Sequence, residues 1–245
     1  NPRPNVHLRE LIESFKYSGA QFIYSMTEIE CPTCHNLFSN RGIGHHWRQS
    51  EDCDRPEPTQ YQRELMVGLF MGDGYAQENI LRTTMINKEF LNWLDSELGI
   101  LSTGVRFERS AEESAKNARN NGFRPNAKAE NYHDTYTLNT RSLDFVNQLH
   151  SWYQDSGKVY PKDLELTPDI CRIWYCCDGG LAMGPKGRGR AEIKCTNESE
   201  RVENIKDMFQ NIGFEIKIAK SRERIRMSTD ETANFLDWMG DAPPG

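Results

Sequence analysis

The chain has 245 residues, of which 37% are hydrophobic and 27% charged, and its formal net charge is −6. This length allows one large domain or two small ones with a buried core. No apolar run approaches the roughly 20 residues that a membrane-spanning helix needs, so we expect no membrane interaction. An acidic chain binds nucleic acid only if its basic residues are concentrated on one face.

Cysteine usage indicates the redox setting. The chain has seven cysteines, an odd number, and Cys176 and Cys177 are adjacent within a predicted helix. A disulfide framework of a secreted protein is therefore not expected. A reduced, intracellular setting fits this pattern better.

The N-terminal part begins with a predicted helix over residues 6–17 and a strand over 21–26, to which we assign no chemistry. A cysteine and histidine pattern follows in Cys31-x-x-Cys34, with Cys53 downstream and either His45 or His46 between them. These residues predict a tetrahedral Cys3His zinc site, and we favour Cys31, Cys34, His46 and Cys53 as its ligands. Such a small module has too little core to fold without its ion. Free thiols in an ordinary loop are the alternative, and the module either contacts DNA or braces the remaining chain.

Two similar apolar segments dominate the rest of the sequence. MVGLFMGDGY over 66–75 and CRIWYCCDGG over 171–180 both predict helices that end in Asp-Gly, at Asp73 and Asp178. Gly68 and Gly72 lie four residues apart on one helix face, where the absent side chains allow a second helix to approach closely. We therefore expect the two helices to pack side by side and to place one carboxylate each at the same end.

The elements after each motif helix form an internal repeat. The order helix-strand-strand-helix-strand-strand-helix is predicted twice, with a long polar insertion over residues 109–134 in the first copy. In the first copy the predicted strands are 74–77, 80–85, 104–108 and 135–139 and the helices are 87–98 and 142–153. In the second copy a hairpin covers 181–196, helices cover 198–211 and 229–239, and strands cover 215–219 and 224–228. The predicted domains are 1–30 (extension), 31–58 (zinc module and linker), 59–157 (first half) and 158–245 (second half).

Paired carboxylates of this kind bind divalent cations between protein and phosphate. Mg²⁺ is the expected cation, because it prefers a few hard oxygen ligands together with water and phosphate. An Asp-Gly turn that only ends a helix is the alternative, but the repetition at Asp73 and Asp178 favours metal sites.

The two motifs also carry a family resemblance. Residues 66–74 resemble the nine-residue signature of the LAGLIDADG homing endonucleases, with Asp73 at the position of the metal-binding acid. Leu166-Thr-Pro, then Trp174-Tyr175, then Asp178-Gly-Gly resemble a variant form of the same signature. The resemblance implies an α+β fold, in which a pseudo-two-fold pair of αββαββα half-domains forms a saddle over DNA in a monomer. It also implies Mg²⁺ at Asp73 and Asp178, with the backbone carbonyls of Gly72 and Cys177 as further ligands.

A basic residue beside each metal would assist the attacking water or stabilise the phosphate. Lys158 is the candidate in the first half, because Lys158-Val-Tyr-Pro resembles a family element that holds an active-site lysine. The matching segment after the last predicted helix, Trp238-Met239-Gly240-Asp241, contains no lysine or arginine. We therefore expect the second site to use Lys194, to take its basic residue from another strand, or to be weaker and give a nick. A solvated surface lysine is the alternative for Lys158.

Basic residues alternate along the predicted strands, and residues of one parity share a strand face. We expect Arg82 to occupy in the first half the place that Lys194 has in the second. A solvated face without a partner is the alternative, but concentrated positive charge in an acidic chain favours contact with double-stranded DNA. The candidate DNA-binding residues are Arg82, Arg106, Lys186, Arg188, Arg190, Lys194, Lys220, Arg222, Arg224 and Arg226.

These observations predict a metal-dependent homing endonuclease, a phosphodiester hydrolase that makes a double-strand cut at a long asymmetric site. We expect it to be cytoplasmic and nucleoid-associated. A binding protein that reuses the scaffold without cleaving, either an RNA maturase or a DNA-binding regulator, is the alternative. A domain excised from an intein is less consistent with the sequence, because the ends lack the residues of self-splicing.

Overall fold

A computed structural model describes residues 28–244, except 123, 155, 156, 184–187, 197, 199, 200 and 222. The helix predicted over 6–17 and the strand predicted over 21–26 lie outside the described residues. The chain divides between Asp54 and Arg55 into two compact units.

The N-terminal unit contains a short hairpin and one helix. Strands β1 (Ile29–Glu30) and β2 (Leu37–Phe38) are antiparallel, and helix α1 (Asn40–Gln49) follows directly. Ser39 begins α1, because its side-chain oxygen accepts a hydrogen bond from the backbone N–H of Gly42. The helix buries Ile43 and Trp47, which are the main apolar contacts of this small unit.

The C-terminal unit begins with the first repeat. Its sheet is antiparallel with the order β3-β4-β6-β5. The 3₁₀ turns Gly99–Leu101 and Ala129–Asn131 connect elements within it. In chain order the elements are α2 (Gln60–Met71), β3 (Gly74–Gln77), β4 (Ile80–Met85), α3 (Lys88–Leu98), β5 (Ser102–Arg109), α4 (Ala111–Asn120), β6 (Thr135–Thr140) and α5 (Asp144–His150).

A hairpin of β7 (Tyr153–Gln154) and β8 (Gly157–Lys158) leads to the second repeat. The second sheet has the order β9-β10-β12-β11, the same order as the first sheet. Both repeats therefore place their strands in one topology. The remaining elements are α6 (Pro168–Asp178), β9 (Gly179–Met183), β10 (Gly189–Lys194), α7 (Val202–Asn211), β11 (Ile216–Ile218), β12 (Arg224–Met227) and α8 (Thr229–Met239).

Two segments differ from the sequence-based expectation. The polar insertion over 109–134 contains helix α4, which begins in a capping box of Ser110 and Glu113. The helix predicted over 142–153 is shorter, because Tyr153 leaves it to pair with Lys158 in the β7–β8 hairpin. The Tyr153 ring packs edge-on against Phe70, and this contact favours the strand.

Helices α2 and α6 pack against each other at the positions of the two glycines. A Cβ atom at Gly68 would lie 2.5 Å from the carbonyl oxygen of Ile170, and one at Gly72 would lie 2.3 Å from Cβ of Cys177. Any side chain there would overlap the facing helix, which confirms the predicted close approach. At the other end of the pair, Thr167 donates a hydrogen bond of 3.0 Å to Glu64.

The fold is therefore the predicted α+β arrangement of two αββαββα repeats, preceded by a small unit with a cysteine and histidine cluster. Its core runs continuously through both repeats and includes Phe70, Trp174, Phe209 and Phe235. Among the described helices, none combines the length and apolar character that crossing a membrane requires.

The helix contact makes a prediction about stability. We expect Gly68→Ala to lower the free energy of unfolding by roughly 1–3 kcal/mol, because the added methyl group overpacks the interface. Urea denaturation measures this change. Gly180→Ala is the matched control, because a Cβ at Gly180 meets nothing within 4 Å. Equal denaturation midpoints for Gly68→Ala and the wild type would contradict the packing described here.

Candidate functional site

The motif aspartates lie at the same end of the helix pair. Asp73 follows Gly72, the residue that caps α2, and Asp178 is the last residue of α6. The glycine after each aspartate is required by a close approach of the backbone to its own helix. A Cβ at Gly74 would lie 2.6 Å from the carbonyl oxygen of Leu69, and one at Gly179 would lie 2.3 Å from that of Tyr175. The Asp-Gly pair thus turns the chain from each helix directly into a strand.

The two carboxylates share one electrostatic environment. A Cβ at Gly72 would lie 3.7 Å from Oδ2 of Asp178, so the carboxylate of the second motif reaches the end of the first helix. Burial, followed by the charges of Asp73 and Glu198, raises the pKa of Asp178 to about 6. Partial burial also raises the pKa of Asp73, while Lys158 and Lys194 oppose that rise. The pair therefore needs positive charge nearby to remain ionised.

Lys158 supplies part of that positive charge. Its ammonium group donates hydrogen bonds to the carbonyl oxygens of Phe70, Gly72 and Gly74, the last two at 3.0 and 2.9 Å. Burial lowers the pKa of Lys158, and the charge of Glu198, followed by those of Asp178 and Asp73, opposes this. An ammonium group has three N–H donors. The structure thus uses Lys158 to fix the C-terminal carbonyls of α2, including the Gly72 carbonyl predicted as a metal ligand.

Glu198 is a charged residue of this site that the sequence analysis missed. It is only 7% exposed, and the hydroxyl of the buried Tyr160 lies 3.4 Å from its Oε1. Burial raises the pKa of Glu198, and the Lys158 charge opposes that rise. Glu198 lines one small cavity with Lys158 and Asp178. It follows β10 and precedes α7, and nothing in its local sequence distinguishes it from a solvated residue at a helix start.

The strand register corrects the expected equivalence of Arg82 and Lys194. The glycine after each aspartate is paired across the hairpin, Gly74 with Thr83 and Gly179 with Ile193. Thr84 therefore occupies in the first repeat the place of Lys194, and Arg82 occupies the place of Glu192. The expectation was wrong because the two hairpins differ in loop length, which sequence spacing alone does not resolve.

Comparison with known proteins agrees with this geometry. Residues 63–235 match the LAGLIDADG DNA endonuclease family. The chain belongs to this family. No curated protein sequence matches it significantly.

Solved structures include proteins that are similar to this chain. The homing endonuclease I-WcaI bound to its DNA recognition sequence has a TM-score of 0.59 and 16% sequence identity, covering 80% of this chain and 86% of that chain. I-DmoI in complex with DNA and Mn has a TM-score of 0.44 and 14% identity, covering 73% of this chain and 96% of that chain. The N-terminal LAGLIDADG domain of DUF199/WhiA has a TM-score of 0.44 and 13% identity, covering 76% of this chain and 87% of that chain. At 16% identity the similarity to I-WcaI is one of fold.

The cysteine and histidine cluster lies outside the part of the chain that matches the LAGLIDADG family. The structure brings together Cys31, Cys34, His46 and Cys53, whose ligand atoms all lie within 4.8 Å of one another, and His45 is exposed. The Phe38 ring stacks on His46 at 4.2 Å between ring centroids and fixes the imidazole. Burial opposes ionisation of the Cys31 thiol, but the backbone N–H groups of Cys34 and Thr33 lower its pKa to about 5. A thiolate is the form that binds a metal.

The second LAGLIDADG repeat presents a cationic sheet face. Along β10 and β12, exposed basic residues alternate with buried apolar ones, and Lys194 is paired with Arg224. The basic residues exposed on the strands of this sheet are Arg190, Lys194, Lys217, Arg224 and Arg226. Arg188 and Lys220 are exposed beside the strands, whereas Lys186 and Arg222 lie outside the described residues.

The sheet of the first repeat is less cationic. Arg106 is exposed on β5, but Arg82 forms an ion pair of 2.7 Å with Glu108. The structure therefore gives the two halves of this LAGLIDADG protein different surfaces on an equivalent scaffold.

The raised pKa of Asp178 makes a prediction about stability. The folded state binds this proton more tightly than the unfolded state, so the contribution of Asp178 to the free energy of unfolding falls as pH rises from about 4 to about 6. We expect Asp178→Asn, which removes the charge, to be more stable than the wild type at pH 8 in magnesium-free buffer. The gain is about 1 kcal/mol, because solvent screens this partly exposed group.

Urea denaturation at pH 4 and pH 8 measures this difference, which should disappear at pH 4. Asp207→Asn on the exposed side of α7 is the control and should leave the stability at pH 8 unchanged. A less stable Asp178→Asn protein at pH 8 would contradict the charge repulsion described here.

Proposed function

We propose that this chain is a homing-type endonuclease that cuts both strands of double-stranded DNA at a long asymmetric site. One observation carries the proposal. The glycine contact of α2 and α6 places Asp73 and Asp178 at one end of a helix pair, beside the cationic face of the second sheet. The internal repeat supplies one acid for each strand within a monomer.

The oxygen ligands that this site offers, carboxylates and backbone carbonyls, are those that magnesium prefers. Burial raises the pKa of both carboxylates. A divalent cation that binds between them would stabilise their ionised forms. Asp73 and Asp178 would hold Mg²⁺, and the carbonyls of Gly72 and Cys177 lie on the same helix ends. A bound Mg²⁺ activates water and stabilises charge on the phosphate during phosphodiester hydrolysis.

The surrounding residues of the chain prepare this site. Lys158 holds the end of α2 in place through three carbonyls and leaves a positive charge beside both acids. Lys194 contributes a second positive charge near Asp73 and Asp178. We propose that Lys194 serves the second half, whose segment Trp238-Met239-Gly240-Asp241 contains no lysine or arginine.

The DNA contacts are proposed on the sheets. Antiparallel strands fit the major groove, where arginine and lysine bind guanine and other side chains contact phosphate. The different surfaces of the two halves support an asymmetric target, because a symmetric pair of surfaces would bind a palindrome.

We further propose that the N-terminal unit binds one structural Zn²⁺. Three thiols and one imidazole are the ligand set of a closed tetrahedral site, whose geometry requires ligand atoms that converge as these do. Without the ion, the small core around Ile43 and Trp47 leaves this unit little to fold around.

A non-cleaving nucleic-acid-binding protein is the second candidate function. The observation that favours it is the hydrogen bonding of Lys158 to three main-chain carbonyls, which is a structural use of the side chain. The retention of both motif aspartates favours the endonuclease.

The proposed endonuclease predicts a defined cleavage pattern. We expect the wild type with Mg²⁺ to convert some members of a supercoiled plasmid library with randomised sites into linear DNA. Asp73→Asn and Asp178→Asn should each reduce linear product by more than about 100-fold, because even the outer partners of a metal ligand contribute about 10–100-fold. Gel electrophoresis and sequencing of the cut ends measure this.

Asp163→Asn, at an exposed position between the repeats, is the control and should cleave like the wild type. Salt-sensitive binding without any cleavage by the wild type would support the binding protein and contradict the endonuclease. A nicked product alone would contradict a double-strand cut.

The zinc proposal predicts one metal ion per chain. We expect the purified protein to contain one equivalent of zinc by mass spectrometry of the metal content, and Co²⁺ substitution to give the absorption spectrum of a tetrahedral thiolate site. Cys34→Ala and His46→Ala should each lose the ion, whereas His45→Ala, the control at the neighbouring exposed residue, should keep it. Zinc loss from His45→Ala with retention by His46→Ala would contradict the proposed ligand set.

A further inference from the structure

Glu192 joins two arginines on the outer face of the second sheet. Its Oε2 accepts a hydrogen bond of 3.0 Å from Nη1 of Arg224, and its Oε1 forms an ion pair of 2.7 Å with Nε of Arg226. The Glu192 side chain is only 11% exposed, whereas those of Arg224 and Arg226 are 52% and 48% exposed. The carboxylate thus lies below the surface and holds both guanidinium groups above it.

Each arginine keeps donors that do not contact Glu192. A guanidinium group has five N–H donors, and the carboxylate contacts only Nη1 of Arg224 and Nε of Arg226. The remaining N–H groups of a guanidinium lie in one plane, and two of them together can donate to the O6 and N7 acceptors of guanine in the major groove. An arginine whose orientation is already fixed loses less side-chain entropy when it binds.

The spacing of the two arginines corresponds to DNA. Residues two apart on a strand lie about 6.6–6.8 Å from each other. Two base-pair steps of about 3.4 Å cover the same length. Arg224 and Arg226 therefore match guanines separated by two steps along the groove.

The arginine pair lies beside the proposed cleavage centre. Glu192 and Arg224 line a groove that leads to Asp178, the aspartate of the second repeat. The bases that they contact would accordingly lie in the target half bound by the second repeat, near the cut.

The first repeat has a different arrangement at the same positions. Arg82 stands in the place of Glu192, and Asn139, its partner across the strands, stands in the place of Arg226. The carboxylate that contacts Arg82 is Glu108 on strand β5, which lies beyond β6 in the same sheet. Each half therefore has an acid that orients arginine, but on a different strand, so the two halves present different donor patterns.

From this geometry we propose that Glu192 is a specificity-determining positioning residue, which orients Arg224 and Arg226 to bind two guanines two base pairs apart. The proposal rests on the proposed function, because it requires that the sheets bind DNA in the major groove. It identifies the part of the target that the second repeat recognises.

The test is a selection of bound sites from a randomised duplex library. The parent protein is Asp73→Asn/Asp178→Asn, which keeps the sheets and does not cut. Glu192→Gln and Glu108→Gln are introduced into it separately, and the bound duplexes are recovered by gel shift and sequenced. Glu108→Gln is the matched control in the other half. Thermal denaturation of each variant tests whether it is folded.

We expect the parent to select guanine at two positions two base pairs apart in one half of the site. Glu192→Gln should weaken that preference about tenfold at those two positions alone, while its affinity for unrelated DNA stays equal or increases, because a negative charge is removed. Glu108→Gln should change the opposite half instead.

An unchanged preference in folded Glu192→Gln would overturn the proposal and leave the endonuclease intact. A parent that binds no duplex would overturn the proposed function as well. If Glu192→Gln does not fold, Arg224→Gln and Arg226→Gln replace it, and each should abolish the guanine preference at one of the two positions. Loss at both positions or at neither in these variants would overturn the proposal.

Discussion

The contact of α2 and α6 at Gly68 and Gly72 is the constraint on which the rest of the structure depends. It places two helix ends so close together that one carboxylate from each repeat reaches a common site. Side chains at these glycines would push the helices apart, and the paired aspartates would separate with them. The same helices carry a sheet on each side, so their spacing also sets the distance between the two sheets.

This close approach has an electrostatic cost, which the neighbouring residues offset. Three acids, Asp73, Asp178 and Glu198, share the region with Lys158 and Lys194, and burial raises the pKa of each acid. Lys158 is fixed by carbonyl oxygens at the end of α2, where the helix dipole favours a cation. A site with more acids than lysines is suited to a divalent cation, and this excess of negative charge supports the metal site that we propose.

The sequence predicted much of this arrangement, because its signals were local. Strands 74–77 and 80–85 and helix 229–239 have the predicted limits, and the repeated Asp-Gly identified both helix ends. Features that depend on long-range register were missed. Glu198 becomes part of the site through its contact with Tyr160, which is distant from it in sequence. Arg82 was assigned to the wrong equivalent position because the hairpin loops differ in length, and the link between Glu192 and two arginines exists only across strands.

The most direct measurement of the central claim is anomalous diffraction from crystals of the protein grown with a selected DNA duplex and Mn²⁺ in place of Mg²⁺. We expect anomalous density between the end of α2 and the end of α6, in contact with the carboxylates of Asp73 and Asp178 and with a DNA phosphate. Anomalous density at the cysteine and histidine cluster alone, with DNA bound away from the two aspartates, would contradict the proposed metal site.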